Sequence, residues 1–127
     1  MSFTKKIVTT DKAPAAIGTY SQGVIHNGVY YFSGQIGLNP QTMVMGSTFI
    51  TQLNQVMENI DGLLSSCGLK RENVIKTTIF LTSLENFNEV NIAYEKFFSK
   101  PFPARSTVEV SKLPRNAMVE IEVLAAQ

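Results

Sequence analysis

Two stretches near the C-terminus constrain this chain more than any other feature. Val108 and Val110 alternate with Arg105, Thr107 and Glu109, and Val119, Ile121 and Val123 alternate with Glu120 and Glu122. A period of two puts successive side chains on opposite faces of a strand, so each stretch is expected to bury one face and expose the other. A one-residue slip in register would turn every side chain over. Read as a hairpin around Leu113-Pro114-Arg115-Asn116, strands Arg105–Ser111 and Met118–Ala125 gather Arg105, Thr107, Glu109, Glu120 and Glu122 on one polar face. One such register sets Glu109 across from Glu120. Two carboxylates there repel unless one holds a proton or a cation lies between them.

The rest of the chain is punctuated as a single α+β domain over residues 1–127. Phe3–Val8 reads as a short first strand, and residues 11–19, with Pro14 and Gly18, as a loop. Ser21–Ile25 and Val29–Ser33 flank His26-Asn27-Gly28, where Asn27 and Gly28 tolerate the positive φ of a type I′ turn. Gln35–Gly46 is expected to be loop. Phe49, Leu53, Val56, Ile60, Leu63 and Leu64 recur at helical spacing, which predicts a helix over Thr48–Ser66 with Gly68 as its stop. Val74–Leu81 is β-branched and alternating. Thr82-Ser83-Leu84-Glu85 has capping-box spacing ahead of a second helix, Ser83–Ser99, that Pro101 and Pro103 end. The order β-β-β-α-β-α-β-β describes a mixed sheet covered by two helices.

Composition narrows the function classes. Eleven basic against ten acidic residues leave a net charge of +1, with no basic excess to drive phosphate binding, so nucleic acid is not an expected partner. One histidine and one cysteine cannot build a multi-ligand His/Cys metal site or an internal disulfide within one chain. The N-terminus lacks the apolar stretch of a secretory signal, and no apolar run approaches the roughly 20 residues of a membrane helix. The cytoplasm is the expected location. His26 reads as a turn residue and Cys67 as a structural thiol at a helix end. Ser33-Gly34-Gln35-Ile36-Gly37 lacks the lysine of a phosphate loop and is better used as a backbone turn.

A polar sheet face is ordinarily solvated. The alternative is that it meets another subunit and walls a polar pocket, with Arg105 as anion anchor and Glu120 as a tunable acid or base. Here the residues resemble a known family. Phe102-Pro103-Ala104-Arg105-Ser106-Thr107-Val108-Glu109-Val110, then Leu113-Pro114 and Val119-Glu120-Ile121-Glu122, resemble the C-terminal signature of the Rid (YjgF) family. Ala13-Pro14-Ala15-Ala16-Ile17-Gly18-Thr19-Tyr20-Ser21-Gln22-Gly23 is similar to its N-terminal signature, with Ser33-Gly34-Gln35-Ile36 following. Val74–Leu81 is similar to its central strand, and Asn91-x-x-Tyr94-x-x-Phe97-Phe98 to its second helix.

The resemblance implies a chorismate-mutase-like fold, a homotrimer with ligand sites between subunits, and no cofactor. It implies hydrolysis of reactive 2-imino acids and their enamine tautomers, such as 2-iminobutanoate and 2-iminopropanoate, to 2-keto acids and ammonia. Arg105 falls at the position that grips the substrate carboxylate and Glu120 at the one that positions water. Tyr20, Ser33, Gly34 and Asn91 fall at pocket-lining positions. Thr107 stands where many relatives carry cysteine, its backbone N–H still able to donate to a ligand. Gln41-Thr42-Met43-Val44-Met45 replaces a commoner glycine-containing turn, which puts the pocket edge and substrate preference in question. Translation-inhibiting endoribonuclease and noncatalytic keto-acid binding are the competing functions the resemblance brings with it.

Overall fold

The computed structural model describes residues 3–127. In chain order the elements are β1 (Lys6–Val8), β2 (Gly23–His26), β3 (Val29–Gln35), α1 (Phe49–Ser66), β4 (Val74–Leu81), α2 (Phe87–Phe97), β5 (Ala104–Glu109) and β6 (Val119–Ala126). The strands make one six-stranded sheet in the order β1-β2-β3-β6-β4-β5. β4 and β5 run parallel, and the other neighbours are antiparallel.

Local signals explain most of these elements. Asn27 and Gly28 take φ of 51° and 77°, which closes the β2–β3 hairpin in the primed geometry that matches strand twist. Thr48 caps α1: its hydroxyl accepts from Thr51 N at 3.2 Å while the Thr51 hydroxyl accepts from Thr48 N at 2.9 Å. Leu53, Val56, Ile60, Leu63 and Leu64 of α1 are all at most 2% exposed, so its apolar stripe faces the core. Gly68, at φ 71°, ends the helix with the Leu69 N–H bonded back to the Leu64 carbonyl at 2.9 Å. Among the described residues no helix is long and apolar enough to cross a membrane.

Three expectations are corrected. The first strand pairs only over Lys6–Val8. The second helix begins at Phe87, after a 3₁₀ turn over Leu84–Asn86. That turn is capped by the Ser83 hydroxyl, which accepts from Glu85 N at 3.2 Å, and by Glu109, whose Oε1 accepts from Leu84 N at 3.0 Å. The second cap comes from a distant strand, so local spacing could not reveal it.

The largest correction concerns the last two strands, which do not pair with each other. β4 lies between them, parallel to β5 and antiparallel to β6. The connection from Val110 to Met118 is long enough to step across one strand, about 10 Å in all. β4 thereby gains a ladder on both edges, which satisfies the backbone of a strand whose Val74, Thr77, Ile79 and Leu81 are buried.

Register decides the faces. Thr77, Ile79 and Leu81 lie beside Val123, Ile121 and Val119 on one side and Arg105, Thr107 and Glu109 on the other. Side chains at paired positions share a face, and this one is covered by α1 and α2. Phe80 and Thr78 lie beside Glu120 and Glu122, so these two carboxylates occupy the opposite face. No helix covers that face among the described residues, and Ile7, Tyr31 and Val108 are 52%, 45% and 42% exposed there.

Candidate active site

Arg105 sits on the edge strand β5, where the side of the sheet is closed by α2. Phe87, Asn91 and Tyr94 recur at spacings of four and three and so share one stripe of that helix. The Arg105 guanidinium lies 5.0 Å from the Tyr94 ring centre and 5.4 Å from that of Phe87. Its Nη1 donates to Asn91 Oδ1 at 2.7 Å. Tyr94 is itself held, its hydroxyl 3.1 Å from the buried Thr77 hydroxyl, and burial pushes its phenol above the ordinary tyrosine range. Among the described residues no carboxylate lies within ion-pair distance of Arg105. It is thus a half-buried cation held by an amide and two rings, with donors to spare. It opens on a cavity of about 370 Å³ that Lys100 and Phe102 also line. Thr107, one step along the same face, has a buried hydroxyl with no hydrogen-bond partner among the described residues.

Glu120 starts from a central strand. A Cβ added at Gly34 would lie 2.8 Å from Glu120 Cδ and overlap Oε2, so only glycine allows the carboxylate to lie flat against β3. Burial there holds the Glu120 carboxyl above the ordinary carboxylate range, and the charge of Glu122 two residues on pushes it further. Glu120 lines a second cavity, of about 480 Å³, together with Tyr20, Ser33, Gly34, Ile17, Leu38 and Met43. The Ser33 hydroxyl donates to the Ser21 carbonyl at 2.6 Å, which fixes the chain entering this cavity. Tyr20 is 54% exposed, and its hydroxyl accepts from Ile17 N at 3.4 Å.

Sequence reasoning missed the residue that shapes this wall. Gln22 is 4% exposed, and its side chain bonds Thr10 N at 2.7 Å and the carbonyls of Thr10, Ala13 and Pro14 at 2.9, 3.2 and 2.8 Å. It ties the loop that carries Ile17 and Tyr20 to β2. Phe87 and Tyr94 recur at helical spacing, but nothing in that spacing says that a guanidinium lies over them.

The residues expected to form one site therefore fall into two groups. Asn91, Arg105 and Thr107 belong to the covered face at the β5 edge; Tyr20, Ser33, Gly34 and Glu120 surround the other cavity, and none of the described residues lines both. The shared polar face and the Glu109–Glu120 pairing do not occur, because β4 separates the two strands and reverses their relative phase. Within one chain the anion anchor and the carboxylate cannot meet one small molecule.

The sheet therefore carries an unneutralised guanidinium at the edge of one face and, on its other face, a cavity lined by a partly buried carboxylate. The family described as Endoribonuclease L-PSP matches residues 10–127. The 2-iminobutanoate/2-iminopropanoate deaminase of Escherichia coli is 41% identical over 125 residues, covering 96% of this chain and 98% of that protein. YyfA, a Rid-family protein of Yersinia pestis, superposes with a TM-score of 0.94 at 46% identity, covering 98% of this chain and all of that one. TdcF of Escherichia coli, solved with bound serine, has a TM-score of 0.91 at 37% identity and covers 96% and 98% of the two chains. The chain belongs to the Rid (YjgF) family.

Proposed function

We propose that this protein hydrolyses 2-imino acids to 2-keto acids and ammonia, at clefts between the subunits of a homotrimer. The observation that carries the reading is the split of the site. Arg105 is presented on one face with its donors unpaired by any carboxylate among the described residues, and Glu120 waits on the other with a raised pKa. The uncovered sheet face, with Ile7, Tyr31 and Val108 exposed, supplies a surface on which a neighbour can bring the two together. The subunit number of three is what the family resemblance implies, and the name of the Escherichia coli relative supports the substrate class.

The chemistry follows from what each group can do. A planar guanidinium donates two parallel hydrogen bonds to a carboxylate and stays charged, so Arg105 anchors one end of the imino acid. Anchoring turns the encounter of imine carbon and water into a positioned attack. Glu120, as carboxylate, accepts a proton as the water oxygen bonds to the carbon of the protonated imine, and a neutral carbinolamine forms. Glu120 then returns the proton to nitrogen. The C–N bond breaks, ammonia leaves with the bonding pair, and the hydroxyl proton passes to it, which gives the keto acid and an ammonium ion. Atoms balance with water as the only co-reactant. An enamine enters the same sequence after protonation at its β-carbon.

The test is keto-acid release from a threonine dehydratase reaction, which supplies the imine in place. The protein is expected to shorten the lag. Arg105→Ala is expected to reduce kcat/KM about 100-fold or more, the scale for a charge left without its partner, with the subunit number unchanged by light scattering. Full activity in that variant removes Arg105 from the mechanism. Binding of 2-ketobutanoate without any acceleration replaces the enzyme with a ligand-binding trimer.

A further inference from the structure

The second cavity is larger than water activation requires, and much of its lining is apolar. Ile17, Ile36, Leu38 and Met43 line it together with Glu120. Met43 is there because of an unusual backbone. The segment after β3 closes into a small hydrogen-bonded turn: Leu38 bridges Met45, Asn39 N bonds the Val44 carbonyl at 3.0 Å, and Met43 N bonds the Asn39 carbonyl at 2.7 Å. The Asn39 side chain accepts from Gln41 N and Thr42 N at 2.9 and 3.1 Å. In this turn Met43 has φ 58°, a left-handed conformation that glycine adopts freely and a side-chain-bearing residue does not. The turn is also anchored from below, since fully buried Asn59 donates to the Leu38 carbonyl at 2.9 Å and Gln52 to the Gly46 carbonyl at 2.9 Å. Strain is retained at a position where glycine would remove it, and what the strain places is a half-buried thioether in the cavity wall.

We propose that Met43 is a specificity-determining residue, and that the wall it completes with Ile17, Ile36 and Leu38 receives the side chain of an apolar 2-imino acid of leucine size. The inference rests on the deaminase reading, because that reading sets where the substrate lies. With the carboxylate on a neighbour's Arg105 and the imine carbon at the water held by Glu120, the remaining substituent points into this cavity. A thioether without branching at Cβ fills such a wall adaptably. Arg115, exposed at the rim with φ 56°, is the feature that favours the opposite occupant, an acidic side chain.

The experiment supplies imino acids in place with an amino-acid oxidase acting on L-leucine, L-alanine or L-glutamate, and measures acceleration of keto-acid formation. The wild-type protein is expected to favour the leucine-derived over the alanine-derived substrate in kcat/KM by about tenfold, the scale for a few methylenes in an apolar pocket. Met43→Gly is expected to bring the ratio close to one, and Met43→Leu to keep it. Each ratio compares two substrates on the same sample, so partial unfolding cancels. Parity in the wild type, an unchanged ratio in Met43→Gly, or preference for the glutamate-derived substrate overturns the assignment while leaving the deaminase reading intact. No acceleration of any substrate overturns both.

Discussion

Arg105 and Glu120 are fifteen positions apart in sequence, yet the fold treats them in opposite ways. The β5 edge holds its cation by contacts from a helix: an amide oxygen at 2.7 Å and two aromatic rings fix the guanidinium without neutralising it. The β6 centre holds its carboxylate by close backbone approach at Gly34, and the resulting burial favours the protonated form. One region keeps a permanent charge available, and the other makes a charge conditional on pH. The contrast teaches that a binding group and a proton-handling group want different environments, and that two faces of one sheet can supply both.

The strongest way to break this comparison is subunit mixing. In the proposed homotrimer, Arg105→Ala and Glu120→Gln are each expected to be near background, yet assemblies re-formed from equal parts of both should recover about a quarter of wild-type sites, those that take an intact Arg105 from one chain and an intact Glu120 from its neighbour. Recovery of nothing would place both residues in one chain's site, against the geometry above. A smaller effect probes the close approach. Gly34→Ala is expected to cost about tenfold or more in kcat, within the range for overpacking a tight contact. Its cost in folding stability, about 1–3 kcal/mol for such overpacking, should largely vanish when Glu120→Ala is added, because the group it displaces is gone. Equal losses in both backgrounds would assign Gly34 to folding alone.

Acidity sharpens the other half. A carboxyl whose pKa is raised stays protonated to higher pH, and the protonated form cannot accept the water's proton. The acid limb of the kcat profile is therefore expected above the ordinary carboxylate range and to vanish in Glu120→Gln. Glu122→Gln removes one of the two causes and should move the limb to lower pH; an unmoved limb would assign it to another group. The smallest change concerns folding. Met43→Gly relieves about 1 kcal/mol of left-handed strain and forfeits roughly as much half-buried apolar surface. Its thermal midpoint is therefore expected within a few degrees of wild type, and a large drop would show that Met43 serves the core.

Much of this molecule is legible in one dimension. The hairpin turn at Asn27-Gly28, the extent of α1 between Thr48 and Gly68, and the strand at Val74–Leu81 all rest on interactions between residues close in sequence, so spacing and residue type suffice to find them. The family motifs likewise picked out Arg105, Asn91, Glu120 and Gly34 as the residues to examine. Strand order was not legible, since alternation in β5 and β6 reports that each has two faces and says nothing about which strand lies between them.

By itself, then, the sequence determined the local elements, the periodicities and the identity of the polar residues, because these depend on short-range sterics and hydrogen bonding. Only the tertiary structure decided that β4 is inserted between the last two strands, that Arg105 and Glu120 therefore face apart, that Glu109 caps a distant turn, and that a strained Met43 closes an apolar wall. Those outcomes depend on which distant backbones pair and how close they come, and such long-range choices are settled by burying one sheet face and satisfying both edges of its central strand.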